Sequence, residues 1–207
     1  MFITFEGGEG AGKSTVLRAL AEEMEQAGKP VLVTREPGGN AVAERIRGIV
    51  LDPAHPELEA RTEALLYAAA RRQHLAETIW PHLEAGGVVL CDRFVDSSIV
   101  YQGFARGLGV DVVREINRFA TEDTAPDVTL YFDIAPSEGL ARIAADGKRE
   151  NNRLDQESLD FHESVRQMYL QLQQEEPERI VRIDASGTLA DVTDAARNAV
   201  QKAVRKK

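Results

Sequence analysis

The chain has 207 residues, 43% of them hydrophobic, and a formal net charge of -9 at pH 7. This length suits one domain spanning residues 1–207, and the acidic charge argues against a general nucleic-acid binder, because contact with a phosphate backbone needs a broad basic surface. The sequence contains no run of 18 apolar residues, so we predict no membrane span. The single Cys91 cannot form an internal disulfide, which favours a cytoplasmic protein.

Short apolar segments alternate along the chain with longer segments of helical periodicity. The apolar segments predict strands at residues 2–5, 31–34, 88–91, 128–132 and 180–183. This alternation is typical of α/β proteins in which helices flank a parallel sheet. We therefore predict five parallel strands whose carboxyl ends meet at one edge, where ligands bind.

A glycine-rich loop follows the first predicted strand. Residues 7–14 fit G-x-x-x-x-G-K-[ST], and a helical pattern begins directly behind them at Val16. Glycines let backbone N–H groups wrap around phosphate oxygens at the positive end of the following helix. A glycine-rich turn without a ligand is the alternative, which this context disfavours. We predict a P-loop NTPase-type fold whose nucleoside triphosphate is bound by Gly7, Gly8, Glu9, Gly10, Ala11, Gly12, Lys13, Ser14 and Thr15.

Three residues of this loop suit phosphate chemistry directly. Lys13 would reach the β- and γ-phosphates, Ser14 offers a hydroxyl to Mg²⁺, and Thr15 begins the helix beneath the α-phosphate. The loop does not identify the group that receives a phosphoryl group, because this fold serves kinases, switches and motors. The other strand ends must supply that information.

The second predicted strand is followed by REPGG, residues 35–39, and then by a long helical segment. Proline and two glycines shape a tight loop, which by itself is a weak signal. The helix spans residues 57–84, with a kink or an end near Pro81. Tyr67 and Arg71 share one face of it, so they can stack on a base and hydrogen-bond its rim. Core packing of Tyr67 and solvation of Arg71 are the alternatives.

The third predicted strand ends in Asp92 and Arg93. Asp92 could orient Mg²⁺ or its bound water, and Arg93 could hold phosphate oxygens of both donor and acceptor. A surface salt bridge is the alternative, and the glycine loop at the same edge favours the functional interpretation.

The last third of the chain contains one polar break and two packing helices. Residues 145–156 predict a flexible loop, with an exposed connection as the plain alternative. Apolar residues recur helically at 161–172, and Thr188 with Asp191 forms a capping signal before the final helix. The histidines have no metal-ligand spacing, and we interpret them as ordinary surface or helix residues: His55, His74, His82 and His162.

Taken together and in order across residues 2 to about 185, these motifs resemble the thymidylate kinase family. The resemblance rests on GGEGAGKST, REPGG, YAAARRQ, DRFVDSSIVYQG, PDVTLYFD and IDA. It implies transfer of the γ-phosphoryl group of ATP to the 5′-phosphate of dTMP with Mg²⁺, giving dTDP and ADP in dTTP synthesis. It also implies a homodimer packed through the helical half.

The resemblance implies a role for each residue facing the nucleoside. Tyr67 would stack on thymine, Arg71 would bind a base carbonyl, and Ser98 would contact the polar edge of the base. Tyr101 would crowd the sugar 2′ position, and Gln102 would support the same site.

Phosphate roles are implied in the same way. Glu9 would bind near the sugar 3′-hydroxyl, Arg35 and Arg93 would hold phosphates, and Pro37 would shape the acceptor pocket. Ser14 and Asp92 are the implied metal ligands. The implied catalytic residues are Lys13, Asp92, Arg93, Arg149 and Arg153.

The polar segment 145–156 becomes a mobile lid under this resemblance. No arginine precedes Lys13 in the glycine loop, so the catalytic arginine is expected in the lid, as in the bacterial form of the family. Arg149 and Arg153 are the candidates, with Arg142 as a third. Closing such a lid would exclude water.

Two other functions stay open at this point. The acceptor could be another nucleotide or a deoxynucleoside, a choice that depends on Tyr67, Arg71 and Ser98. A non-enzymatic nucleotide switch is the second alternative. It is disfavoured because the chain has no Asn-Lys-x-Asp sequence for guanine and because the arginines point to a second anion site.

Overall fold

The computed structural model describes residues 1–145 and 153–205, without the side chains of residues 153 and 155. The strands are β1 (Phe2–Gly7), β2 (Val31–Arg35), β3 (Val88–Asp92), β4 (Val128–Asp133) and β5 (Ile180–Asp184). The α-helices are α1 (Lys13–Gln26), α2 (Ala41–Val50), α3 (Ala60–His74), α4 (Trp80–Glu84), α5 (Val95–Ser98), α6 (Val110–Thr121), α7 (Pro136–Ala145), α8 (Leu159–Glu175) and α9 (Leu189–Arg205). Two π-helical turns occupy Leu75–Ile79 and Ile99–Ala105, and a 3₁₀ turn occupies Arg153–Gln156.

The five strands form one parallel sheet in the order β2-β3-β1-β4-β5. Phe5 pairs with Asp92 across β1 and β3, and Arg35 also pairs with Asp92 across β2 and β3. The register therefore brings the glycine loop, Arg35 and Asp92 to one edge of the sheet. The predicted fold is confirmed.

Side chains of β1 alternate between two cores, as the two-residue period of a strand requires. Ile3 and Phe5 face the core under α1 and α9, while Phe2 faces the core beside α4. The sheet is therefore covered by helices on both faces.

The capping signal before α9 is confirmed, since the Thr188 hydroxyl accepts from the Asp191 N–H at 3.3 Å.

The long helix predicted at residues 57–84 is shorter and interrupted. It begins at Ala60, because the Glu59 carboxylate accepts from the N–H groups of residues 61 and 62 and caps the first turn. The π-helical turn Leu75–Ile79 then separates α3 from α4 just before Pro81. Proline lacks an N–H and clashes with the preceding turn, so the wider turn relieves the conflict.

Two further predictions concern membrane spans and the lid. Among the described residues, none of the helices is long and apolar enough to span a membrane. Of the predicted lid, residues 146–152 lie outside the described residues, and Arg149 is among them. Residues Arg153–Gln156 form the 3₁₀ turn that precedes α8.

Helix α7 packs directly against the glycine loop through two glycines. A Cβ built on Gly139 would lie 2.2 Å from the carbonyl oxygen of Glu9, and a Cβ on Gly10 would lie 2.0 Å from the carbonyl oxygen of Gly139. Both distances are far below van der Waals contact. Backbone therefore meets backbone here, and the helix supports the loop from the side of β4.

Gly139→Ala should separate α7 from the glycine loop. We expect a lower melting temperature and several-fold weaker binding of a fluorescent nucleoside triphosphate, because the methyl group has no room. Gly48→Ala on α2 is the matched control, since nothing lies within 4 Å of its built Cβ. It should stabilise the protein by about 0.5–1 kcal/mol and leave nucleotide binding unchanged. Equal effects of the two substitutions would contradict the packing argument.

Candidate active site

A cleft of about 520 Å³ opens at the carboxyl edge of the sheet, where the strand ends meet. Its walls come from the glycine loop, the loops after β2 and β3, helix α3 and the π-helical turn Ile99–Ala105. The structure brings these predicted site residues to the cleft: Glu9, Gly10, Ala11, Gly12, Lys13, Ser14, Thr15, Arg35, Pro37, Tyr67, Arg71, Asp92, Arg93, Ser98, Tyr101 and Gln102. Gly7 and Gly8 lie behind it and contribute backbone carbonyl groups.

Lys13 is held against the loop that precedes it. Its Nζ donates to the carbonyl oxygens of Gly7 at 3.0 Å and Gly8 at 2.8 Å. Burial and the neighbouring Arg93 lower the pKa of Lys13 to about 8. The ammonium is thus poised at the N-terminus of α1, where an anion would also meet the positive end of the helix.

Ser14 and Asp92 present two oxygen atoms to each other. The Ser14 hydroxyl donates to Asp92 Oδ2 at 2.7 Å. Mg²⁺ takes oxygen ligands at about 2.0–2.1 Å in an octahedron, so adjacent ligand oxygens lie roughly 2.9 Å apart. A hydroxyl and a carboxylate at this separation fit two adjacent ligand positions.

Arg93 joins the glycine loop to the opposite wall of the cleft. Its Nη2 donates to Glu9 Oε1 at 2.6 Å, its Nη1 donates to Ser97 Oγ at 3.2 Å, and its guanidinium lies 5.1 Å from the centre of the Tyr101 ring. The backbone of Arg93 has φ 70°, a left-handed conformation that non-glycine residues adopt at a cost. The ion pair and the ring contact hold this guanidinium in a defined position, and the strain lies in the backbone that carries it.

Arg71 is almost fully buried rather than solvated, with 2% of its surface exposed. Its Nε donates to Glu36 Oε2 at 2.6 Å, its Nη1 donates to Ser98 Oγ at 3.0 Å and to Asn117 Oδ1, and its Nη2 donates to the Phe94 carbonyl at 3.0 Å. A guanidinium has five N–H groups, and these contacts use four of them. Among the described residues, one Nη2 hydrogen has no acceptor, which leaves it for a ligand in the cleft that Arg71 lines.

Glu36 and His74 extend this network, and the sequence interpretation missed both. Glu36 Oε1 lies 3.0 Å from His74 Nδ1, and His74 Nε2 lies 2.7 Å from the Thr34 hydroxyl. Because a carboxylate only accepts, Nδ1 carries a proton. His74 lies on helix α3, in agreement with the interpretation as a helix residue, but it is fully buried and not at the surface. The sequence shows a histidine inside the predicted helix 57–84 and no sign of its partners.

Cys91 completes a group of three potential metal ligands with Glu36 and His74, all buried within 4.8 Å of one another. Hydrogen bonds already commit the carboxylate to Arg71 and the imidazole to Thr34. Burial raises the pKa of the Cys91 thiol well above its usual range, which keeps it protonated. These contacts suit a structural role.

The remaining acceptor-side residues line the cleft from two elements. Tyr67 is 8% exposed on α3, and Gln102 is buried on the π-helical turn, where its Nε2 donates to Glu63 Oε1 at 2.7 Å. Arg47, which the sequence interpretation missed, donates from Nη1 to the Pro37 carbonyl at 2.9 Å. Burial and the nearby Arg35 lower the pKa of Arg47. Nothing in the local sequence of α2 distinguishes Arg47 from its solvated neighbours.

Of the three candidate catalytic arginines, the structure describes the side chain of Arg142. Arg142 lies on α7 at the cleft, where its Nη1 donates to the Ala185 carbonyl at 3.0 Å and its Nη2 donates to Glu138 Oε1 at 2.7 Å. Arg149 and the side chain of Arg153 lie outside the described residues. The choice among the three arginines is therefore a matter for experiment.

Comparison with known proteins identifies the family. The family model described as Thymidylate kinase matches residues 5–196. The chain belongs to the thymidylate kinase family. A thymidylate kinase of Bacillus pumilus (strain SAFR-032) is 55% identical over 206 residues, which cover 100% of this chain and 97% of the relative. One of Oceanobacillus iheyensis is 57% identical over 192 residues, covering 93% and 85%.

A solved structure agrees with these relatives. The crystal structure of thymidylate kinase from Ehrlichia chaffeensis superposes with a TM-score of 0.78 and 29% identity, covering 97% of this chain and 98% of that one. The resemblance drawn from the sequence motifs is confirmed. The protein is accordingly a kinase, an enzyme that transfers a phosphoryl group.

One buried carboxylate lies behind Arg93, and the sequence interpretation missed it. Glu6 on β1 accepts from the Phe94 N–H at 2.7 Å, the Ser97 hydroxyl at 2.5 Å and the Tyr169 hydroxyl at 2.8 Å. Burial and the charge of Asp96 raise the pKa of Glu6 to about 7. Because Ser97 also accepts from Arg93, Glu6 supports the position of the cleft arginine.

Glu6→Gln should change how the stability of the enzyme depends on pH. The folded-state pKa of about 7 exceeds the ordinary 4.5, so the native protein binds more protons than the unfolded chain between these values. Stability present below about pH 4.5 is therefore lost as the pH rises through 7. We expect the free energy of unfolding of the wild type to fall by up to about 3 kcal/mol relative to the variant over this window.

Urea denaturation at four pH values from 4.5 to 8 measures this difference. Glu25→Gln, at an exposed position on α1, controls for the loss of a surface carboxylate. A constant difference between wild type and Glu6→Gln across the range would contradict the assignment.

Proposed function

We propose that the protein transfers the γ-phosphoryl group of ATP to the 5′-phosphate of dTMP and releases dTDP and ADP, in the synthesis of dTTP. The observation that carries this proposal is a single cleft with a phosphate-binding loop on one side and Tyr67, Arg71 and Gln102 on the other. The salt bridge between Glu9 and Arg93, at 2.6 Å, links the two sides.

On the donor side, the backbone of the loop Gly7–Thr15 would cradle the ATP phosphates. Lys13 would exchange its two carbonyl contacts for β- and γ-phosphate oxygens, which are stronger partners for an ammonium. Ser14 and Asp92 would hold Mg²⁺, which supplies charge neutralisation at the phosphates when bound. Their oxygen separation of 2.7 Å supports this pairing.

On the acceptor side, Tyr67 would stack on thymine while Arg71 donates its remaining N–H to a base carbonyl. Ser98 accepts from Arg71, so it would keep the guanidinium turned toward the base. Tyr101 lies beside Arg93 and would occupy the space of a 2′-hydroxyl. Pro37 would close the pocket at the end of β2.

Between the two sides, Arg93 would contact phosphate oxygens of donor and acceptor. Two anions that must react repel each other, and a guanidinium between them lowers that repulsion and stabilises the charge of the transferring group. Glu9 would hold Arg93 and reach toward the sugar 3′-hydroxyl. Arg35, paired with Glu44 at 3.2 Å, would add a further phosphate contact.

An arginine of the lid 145–156 would complete the site during transfer. Arg149 and Arg153 are the first candidates, because the glycine loop has no arginine before Lys13. Arg142 is the third, since it already lines the cleft. A closed lid would keep water from accepting the phosphoryl group.

The acceptor is tested by a coupled assay of ADP release with Mg-ATP and dTMP, dUMP, dCMP or thymidine. We expect selective turnover of dTMP, and dUMP to be disfavoured by only about 1–3 kcal/mol, because one methyl group in an apolar pocket is worth no more. Preference for another acceptor would overturn the base-pocket roles and leave the glycine loop intact. ATP hydrolysis without phosphoryl transfer would overturn the kinase reaction itself.

The lid proposal is tested by Arg142→Ala, Arg149→Ala and Arg153→Ala under saturating substrates. The arginine that contacts the transferring group should lower kcat by roughly 10³-fold or more while the KM for dTMP changes little. Lys148→Ala is the matched control, a basic residue of the same segment, and should cost less than tenfold. If all three arginine variants keep kcat within tenfold of the wild type, the lid does not supply a catalytic arginine.

We also propose a cytoplasmic homodimer. The support is an apolar surface on two adjoining helices, α3 and α6, where Leu65 is 57%, Val112 54% and Phe119 88% exposed. Pairing these helices between two copies would cover side chains that water solvates poorly. Cys91 is buried and forms no disulfide, which suits the reducing environment of the cytoplasm. Light scattering measures the oligomeric state directly.

A further inference from the structure

The side-chain amide of Gln102 has a fixed direction because of a buried carboxylate beneath it. Gln102 lines the cleft, and its Nε2 donates to Glu63 Oε1 at 2.7 Å. Gln102 is 2% exposed and Glu63 is fully buried. Water therefore cannot substitute for either partner at low cost.

A carboxylate accepts hydrogen bonds and cannot donate them. The NH₂ end of the Gln102 amide must therefore face Glu63, which leaves the amide oxygen as the polar end available to a ligand. Arg106 forms an ion pair with Glu63, since its Nε lies 3.6 Å from the same Oε1. The other end of that guanidinium pairs with Glu157 Oε1 at 2.6 Å.

We infer that Glu63 is a specificity-determining positioning residue, which orients Gln102 so that its oxygen accepts from a ring N–H of the acceptor base. This inference rests on the proposed function and deepens it. Thymine carries a donor N–H at N3 beside a carbonyl at C4. Cytosine carries a bare acceptor nitrogen at N3 beside a donor amino group at C4.

Arg71 and Gln102 then present a donor and an acceptor that pair with the polar edge of thymine but not with that of cytosine. The remaining Nη2 hydrogen of Arg71 is a donor for the C4 carbonyl, and the oxygen of Gln102 is an acceptor for N3–H. With cytosine, a donor would face a donor and an acceptor would face an acceptor. Unpaired buried polar groups give stronger discrimination than a missing methyl group does.

The placement of Glu63 agrees with this role. Glu63, Tyr67 and Arg71 follow at intervals of four on one buried face of α3. One helix thus carries Glu63, which orients Gln102, together with the ring of Tyr67 that would stack on the base and the guanidinium of Arg71 that would donate to the C4 carbonyl. A buried charge is a poor way to stabilise a helix, because desolvation offsets most of its attraction.

The test compares dTMP with 5-methyl-dCMP, which keeps the methyl group and differs only in the polar edge of the base. Glu63→Met removes the acceptor at nearly constant volume, so the Gln102 amide can turn over. We expect kcat/KM for dTMP to fall about tenfold, mostly through KM, while kcat/KM for 5-methyl-dCMP stays the same or rises. Glu63→Gln should keep most of the discrimination, because Arg106 holds the amide oxygen of the new side chain toward Gln102.

Glu157→Met is the matched control. It removes the other carboxylate of Arg106, at 2.6 Å, and leaves the contact between Glu63 and Gln102 in place. The ratio of kcat/KM for the two substrates should equal that of the wild type. A loss of the same size for both substrates in Glu63→Met would show that Glu63 is merely structural and would overturn the inference.

A folding defect is handled by a second set of variants. If circular dichroism shows Glu63→Met to be unfolded, Glu63→Gln combined with Arg106→Gln removes both charges and the preference for one amide direction. The ratio should fall in this double variant and stay unchanged in Arg106→Gln alone. An unchanged ratio in both would overturn the inference.

The proposed function fails separately from this inference. Wild-type protein that does not phosphorylate dTMP would refute the dTMP kinase proposal and the inference with it. Wild-type protein that phosphorylates dTMP while Glu63→Met keeps the wild-type ratio would refute the inference alone.

Discussion

The buried guanidinium of Arg71 is the contact on which the acceptor side of the cleft depends. It joins helix α3 to the loop after β2 through Glu36, to the segment after β3 through Phe94 and Ser98, and to α6 through Asn117. A buried ion pair adds little net stability, but removing one partner of such a pair costs roughly 3–5 kcal/mol. The Arg71 guanidinium therefore fixes the relative position of four chain segments more than it stabilises the fold.

Positively charged side chains are concentrated in the cleft, although the net charge of the protein is -9. Each of two cleft arginines stands beside a carboxylate: Arg93 beside Glu9 at 2.6 Å and Arg35 beside Glu44 at 3.2 Å. These carboxylates offset part of the mutual repulsion of the cations: burial and then Arg93 lower the pKa of Lys13, and Glu9 opposes that shift. A concentrated positive site within an acidic surface favours small phosphate ligands over a nucleic-acid backbone, because only the former can enter the cleft.

Local patterns made the sheet and the phosphate loop predictable, since the strands are short apolar runs and the loop is one continuous motif. The face of α3 was predictable in part, because Tyr67 and Arg71 are four residues apart. The partners behind them were not: Glu36 meets Arg71 across 35 residues and Glu63 meets Gln102 across 39. Periodicity contains no information about which distant polar side chains pair when both are buried. The solvated alternative for Arg71 was wrong for the same reason.

Three buried carboxylates stand behind the cleft, and each holds one hydrogen-bonding group in it. Glu36 holds Arg71, Glu63 holds Gln102, and Glu6 holds Ser97, which in turn contacts Arg93. Because the carboxylates of Glu36 and Glu63 accept only, they dictate which end of Arg71 and of Gln102 faces inward and hence which end faces a ligand. Apolar residues in these places would pack with less desolvation cost but would leave those directions free. The buried charges thus lower stability where the pocket needs a defined pattern of donors and acceptors.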